Sequence, residues 1–189
     1  MQSCLKQFLA KNKLFLVEKI AKGHSSEIFL VKNSSGKKFA LKFERSDSSR
    51  HRMAERETEN LKLANSVKIG PKLKISDIEK RIILMEFIEG ITFQEWLFKS
   101  NPSKSELKKV ITELQKQASL LDKIGLDHGQ LAGRGKNILV RKEKPVIIDF
   151  EKASQNRKCH NYSVIEAFLF RNPNSAFAKK IREIENKKN

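Results

Sequence analysis

The residues with the plainest chemistry are Asn137 and Asp149, in the stretch GLDHGQLAGRGKNILVRKEKPVIIDFE from Gly125 to Glu151. Two short strand-like runs, 137–140 and 146–148, are joined by the charged turn RKEKP, and a His-containing loop leads into the first. Such a hairpin sets an amide and a carboxylate side by side at one edge. A pair so placed can share one Mg²⁺, a hard cation that prefers oxygen and also binds phosphates. An ordinary surface hairpin ending in Asp fits the same letters, so the rest of the chain decides.

A phosphate site also needs a cation and main-chain donors. The segment LFLVEKIAKGHSSEIFLVKNSSGKKFALKFE reads as three strands, over 14–20, 27–32 and 38–44, with a turn at residues 33–36 between the last two. In the third strand Phe39, Leu41 and Phe43 point one way, and Ala40, Lys42 and Glu44 the other. The first hairpin's loop, Ala21 to Ser26, has Gly23 and small side chains, which let N–H groups approach an anion. One glycine also fits a plain turn; what adds weight is Lys42 on the facing strand. Over 46–65 the spacing predicts a helix with N-caps at Ser46–Ser49 and one mostly charged face. Glu57 lies one turn before Leu61, on the face toward the sheet, where it can pair with Lys42; Glu55 and Glu59 compete for that role.

These groups need a frame. RIILME reads as a buried strand ending at Glu86, and residues 87–90 break it. Thr92 with Glu95, and Ser103 with Glu106, form capping boxes for two helices. The second keeps a helical period through Leu107, Val110, Ile111, Leu114, Ala118 and Leu121, so it is a core helix, ended by Gly125. After Glu151 come a basic loop and two apolar-striped segments, around 164–170 and 177–184, parted by Asn172, Pro173 and Asn174. Leu5, Phe8 and Leu9 fit a short amphipathic helix packed outside the first strands.

The chain's 189 residues suffice for one domain with a real core, or two small lobes sharing a cleft. No run approaches the ~18 apolar residues of a membrane helix. The start lacks the core and cleavage site of a secretory signal. Cys4 and Cys159 make no disulfide framework and no zinc spacing, so a reducing, cytoplasmic setting is expected. A formal charge of +17 attracts polyanions. The basic residues are interleaved with Glu rather than blocked, without the aromatic-basic signature of an RNA-binding sheet.

The order of these parts resembles the protein-kinase fold, and within it the small atypical kinases: the RIO family, the kinase of the KEOPS complex and a group of archaeal predicted serine/threonine kinases. The resemblance runs from about Leu14 to Ser154. IAKGHSSEIFLV is similar to the kinase Gly-rich loop, with Ala21 at its first glycine position, Gly23 within it and Ser26 at the third. FALK is similar to the motif whose lysine contacts phosphates, here Lys42, with Ala40 against adenine and Glu57 as the helix partner. MEFIEG resembles the KEOPS-kinase hinge, with Met85 as gatekeeper and the main chain of Glu86 and Ile88 at the adenine edge. Asn137 and Asp149 take the places of the metal ligands.

The resemblance implies an α+β, protein-kinase-like two-lobed fold, minimal, with an antiparallel-sheet N-lobe and a truncated helical C-lobe. One domain would cover residues 1–189: N-lobe to about 86, hinge 87–90, C-lobe from about 91. It implies ATP and Mg²⁺ as cofactors. It also implies serine/threonine phosphotransferase activity toward the chain itself or one dedicated protein partner, with no membrane association.

The catalytic loop departs from the pattern. With His128 aligned to the family's His, Gln130 stands where the catalytic Asp belongs, and Glu151 replaces the glycine of Asp-Phe-Gly. Gln cannot accept a proton as a carboxylate does. Asp127 or Glu151 can serve instead, the base can matter little beside the metals, or nucleotide can bind without transfer. Arg134 and Lys136 can touch the γ-phosphate or stay solvated. Only about forty residues follow Asp149, too few for a peptide-docking lobe with a long activation loop. A pseudokinase scaffold or ATPase switch, a basic RNA- or ribosome-associated factor, and a small-molecule kinase remain as alternatives.

Overall fold

The computed structural model describes residues 2–45 and 52–187. An upper lobe is built on a five-stranded antiparallel sheet, ordered β1-β2-β3-β5-β4. Its strands are β1 (Leu14–Lys22), β2 (Ser26–Asn33), β3 (Lys38–Glu44), β4 (Leu73–Asp77) and β5 (Ile82–Glu86). The alternation read in β3 decides what each face meets. Phe39, Leu41 and Phe43 turn outward into a cluster with Phe29, Val31 and Leu84, which α1 (Gln2–Lys11) covers through Phe8. The opposite face carries Lys42 toward helix α2 (Met53–Ser66).

Helix α2 buries Met53, Ala54, Glu57, Thr58, Asn60, Leu61 and Ala64, so its sheet-facing side is partly polar. Its N-terminus is tied to the sheet, because the Ala54 N–H donates to the Glu44 carboxylate at 2.9 Å. The caps expected at Ser46–Ser49 lie outside the described residues.

After β5 the chain crosses into a lower lobe through β6 (Ile91–Thr92), α3 (Phe93–Lys99) and α4 (Lys104–Lys123). Both capping boxes form, on Thr92 and on Ser103. All six apolar positions of α4 read from the sequence are buried. They join a second cluster that includes Leu61 and Met85 from above and Phe93, Ile138, Ile147, Phe150, Ile165 and Ile181 below. One apolar core therefore fixes α2 and β5 against the lower lobe. The hairpin β7 (Ile138–Arg141) and β8 (Lys144–Ile147) forms a three-stranded sheet with β6. Beyond it lie a 3₁₀ turn (Phe150–Lys152), α5 (Asn161–Glu166), a π turn (Ala167–Arg171) and α6 (Ala176–Glu185). This is the minimal two-lobed α+β arrangement that the resemblance implied.

Two boundaries differ from the sequence reading. The first hairpin pairs further than expected: Ala21 and Lys22 are in register with Ile28 and Glu27, so the open loop shrinks to residues 23–25. The Gly23 N–H donates to the Ser26 carbonyl at 2.8 Å and closes it. In the second hairpin the turn is only Lys142 and Glu143, both at positive φ (47° and 59°), and Arg141 pairs with Lys144 as strand. Two left-handed central residues match the twist of a two-residue hairpin.

Candidate active site

The cleft between the lobes is organised by one buried ammonium. The Nζ of Lys42, 7% exposed, lies 2.6 Å from the Glu57 carboxylate, 2.9 Å from Asp149 and 3.3 Å from Glu151. Each partner arrives by a different route. Glu57 projects from the buried face of α2, and one turn on Asn60 donates to the carbonyls of Phe150 (3.1 Å) and Ala153 (2.8 Å). Asn60 thereby sutures α2 to the segment that carries the other two carboxylates.

Asp149 follows β8. The Ile148 N–H donates to the Asn137 carbonyl at 2.9 Å, so hairpin pairing continues to the residue before it. That bond sets the main chain of Asn137 beside Ile148, the residue before Asp149. Asp149 itself has φ 65°, a left-handed conformation rare for a non-glycine residue, and the 3₁₀ turn after it brings Glu151 back onto Lys42. Phe150 anchors this turn from below. It packs against the edge of the His128 ring and close under Gly70, where a Cβ would stand 2.8 Å from the Phe150 ring.

The electrostatics follow from burial and count. Burial alone would depress the Lys42 ammonium, but Glu57, Asp149 and Glu151 together hold it well above the usual lysine value. Burial pushes the Glu57 carboxyl above its usual range, and Lys42 offsets this only in part. Burial acts on Asp149 in the same sense, yet there Lys42 prevails and the carboxyl is held below its ordinary value. Among the described residues, three carboxylates face this ammonium. Glu57, Asp149 and Glu151 each offer an oxygen within 4.8 Å of the others, a hard, net-negative donor set that fits a divalent cation such as Mg²⁺. Asn137 donates its Nδ2 to the Gln130 carbonyl at 2.9 Å, which leaves its Oδ1 as the atom free to face a cation.

The residues expected at an adenine edge lie along β3 and β5 and, for Ile88, just past β5. Ala40 is in register with buried Met85. The Glu86 N–H donates to the Lys72 carbonyl at 2.8 Å, and its carboxylate pairs with Arg141 at 3.1 Å. Ile88 is buried, and its carbonyl accepts the Gly90 N–H at 2.9 Å. At the tip of the first hairpin, Ala21 and Gly23 are exposed and Ser26 is buried opposite Glu44.

A model of the RIO domain family matches residues 16–187, from within β1 to beyond α6. The chain belongs to the RIO domain family. It shares that atypical-kinase assignment with a wider group: the EKC/KEOPS complex subunit bud32 of Dictyostelium discoideum is 29% identical over 115 residues, 56% of this chain. The matched part spans 45% of bud32, less than half of that relative's length. An uncharacterized protein of Methanocaldococcus jannaschii is 34% identical over 99 residues, 52% of this chain and 81% of its own length.

On the lower side of this RIO domain's cleft lies the His loop. His128 is fully buried; its Nε2 donates to the Ile148 carbonyl at 2.9 Å, and burial holds its pKa below the usual imidazole value. The loop's other wall is set by Asn161, which accepts the His128 N–H at 2.9 Å and donates to the Leu126 carbonyl at 2.8 Å. Asp127 is not among the carboxylates gathered on Lys42. Its backbone pairs with Ser154, and its side chain meets Arg157 at 3.0 Å. Gln130 is exposed and contributes its carbonyl to Asn137. Arg134, at φ 54°, and Lys136 are also exposed.

Sequence reasoning missed Ser25, Asn60, Arg157 and Asn161. Asn60 was within reach, since it sits three residues after Glu57 and so shares its helix face. Ser25 had no local signal, because its partner Glu151 is 126 residues away.

Proposed function

We propose that this RIO domain is a Mg-ATP-dependent phosphotransferase acting on serine or threonine, in itself or in one dedicated protein partner. The observation that carries the reading is the 2.9 Å contact of Lys42 with Asp149, which joins the upper sheet to the end of β8. In this reading Lys42 binds the α- and β-phosphates and Glu57 orients it. Ala40, Met85 and the main chain of Glu86 and Ile88 receive adenine, and the turn around Gly23 lies over the phosphates. Asn137 and Asp149 hold Mg²⁺, which supplies charge neutralisation for the transferring phosphoryl group. A base is the smaller contribution, because in a loose transition state the attacking hydroxyl has formed little of its new bond to phosphorus and its proton is not yet strongly acidic. Asp127 would fill that role after parting from Arg157, while Gln130 holds Asn137. The likeness to a complex subunit supports a protein as partner.

The test is transfer of label from γ-³²P-ATP with Mg²⁺, in the wild type and in Asp149→Ala. Label that persists undiminished in the variant would end the proposal. A second reading, a nucleotide-binding switch without transfer, is favoured by the Arg157–Asp127 pair together with the exposed amide at Gln130. It expects a thermal shift with Mg-ATP but no labelled product.

A further inference from the structure

Positive charge also gathers on the far side of the hinge, where none of the roles above uses it. Met85 is in register with Ala40, and successive strand side chains leave opposite faces, so the Glu86 side chain points away from the face that carries Ala40 and Lys42. It lies in the wall of a cavity of about 320 Å³, between the end of α2, the start of β4 and the β7–β8 hairpin. Lys68 and Lys72 border that cavity from the upper lobe and Arg141 from the lower. A second cavity, of about 850 Å³, runs between α4 and the same hairpin and is bordered by Lys108, Lys109, Lys142 and Lys144. The two share Gln117, Arg141, Pro145 and Val146, so they meet as one groove.

Its charge is one-sided. Seven cations stand against three carboxylates, Glu86, Glu113 and Glu143. Two of these are already engaged, Glu86 with Arg141 at 3.1 Å and Glu143 with Lys109 at 3.2 Å. Among the described residues, the five other lysines of the groove form no ion pair. Such a surface attracts an anion, and its remaining groups decide which kind. None of the described lining residues is aromatic, so nucleic-acid bases would find nothing to stack on. The three carboxylates would repel a continuous phosphate backbone, whereas a peptide can space its acidic side chains between them. Gln117 donates its amide to the Pro145 carbonyl at 2.9 Å and leaves its Oε1 without a partner among the described residues, an acceptor that suits a peptide N–H and not a phosphate. A second copy of this chain, at +17, is repelled rather than drawn in.

We propose that this groove is the docking site for an acidic, extended segment of a protein partner. Both lobes border the groove, so the segment would bridge them beside the hinge. The inference takes from the reading above only that the partner is a protein, and it needs no transfer of phosphate.

The test is binding, read by fluorescence anisotropy at physiological salt. The probes are a short fluorescein-labelled peptide in which Asp and Glu alternate with Gly and Ser, and a single-stranded RNA of the same net charge. The proteins are the wild type, Lys108→Glu with Lys144→Glu, and a control of equal charge, Lys32→Glu with Lys179→Glu, at exposed positions outside the groove. The groove variant should bind the peptide about tenfold more weakly than the wild type, and the control within about threefold of it, the scale of two exposed ion pairs against a change of net charge alone. Equal weakening in both variants would reduce the attraction to overall charge and overturn the proposal, as would a wild type that does not bind the peptide. RNA bound more tightly than the peptide, and lost in the groove variant alone, would give the groove to nucleic acid and overturn it too. If the groove variant fails to fold, Lys108→Ala with Lys144→Ala is read against Lys32→Ala with Lys179→Ala in the same way. Because the readout is binding alone, a failure here is distinct from a failure of label transfer.

Discussion

The two walls of the cleft are built to different standards. On the wall that carries Lys42, the carboxylates of Glu57 on α2, of Asp149 and of Glu151 in the 3₁₀ turn converge within 3.3 Å of the Lys42 nitrogen, and α2 is locked by Asn60 and Glu44. On the wall that carries the His loop, Asp127 is engaged by Arg157 and Gln130 is exposed. The groups that would handle charge are thus gathered in one buried cluster, whereas of those that would handle a proton Asp127 is buried but tied to Ser154 and Arg157, and Gln130 is exposed. For phosphoryl transfer this asymmetry is chemically coherent, because positioning and neutralisation supply most of the catalysis.

The largest effect expected is on the buried wall. Lys42→Met leaves three carboxylates without their cation and should cost about 3–5 kcal/mol of stability, read by denaturant unfolding. A loss under 1 kcal/mol would mean that the cluster does not hold the lobes together. Asp149→Ala should lower label transfer by about 100-fold or more, on the scale of deleting one group that stabilises developing charge. Asn60→Ala strands two carbonyls and should cost about 1–3 kcal/mol, with faster exchange in the Phe150–Lys152 turn.

His128 supplies a pH test that separates the walls. Its folded pKa is depressed by burial, so its contribution to stability is present above the ordinary imidazole value near 6.5 and is lost as pH falls through the lower folded value. Wild-type stability should therefore fall below about pH 6.5 by up to about 1.4 kcal/mol per pH unit from this group, and His128→Leu should remove that component. The smallest effect belongs to the wall of the His loop: Asp127→Asn should reduce transfer by less than about tenfold, short of the usual range for a general base. A hundredfold loss would restore proton abstraction to the centre of the chemistry and dissolve the contrast.

Much of this was legible from local pattern. The alternation in β3 placed Lys42 on the inner face, the period of α4 named its buried residues, and both capping boxes form where the spacing put them. The choice of Glu57 over Glu55 and Glu59 was legible as a face: Glu57 is 2% exposed, and the other two are not buried. The tip of the first hairpin was less so. Small residues from 21 to 26 suggested an open loop, whereas strand pairing takes Ala21 and Lys22 and leaves Ser25 as the reaching side chain. Main-chain pairing carries no side-chain signature at such positions.

By itself, the sequence determined the order of elements, the inner face of β3, and the residue types that a phosphate and a hard cation require, because helix and strand periods are local properties of the chain. Only the tertiary structure decided which carboxylates meet Lys42, that Asp127 is held by Arg157, and that Ser25 closes on Glu151. Those contacts join residues 107 and 126 positions apart for Lys42–Asp149 and Ser25–Glu151. They exist because a shared apolar core fixes α2 and β5 on the lower lobe, a constraint that no local pattern encodes.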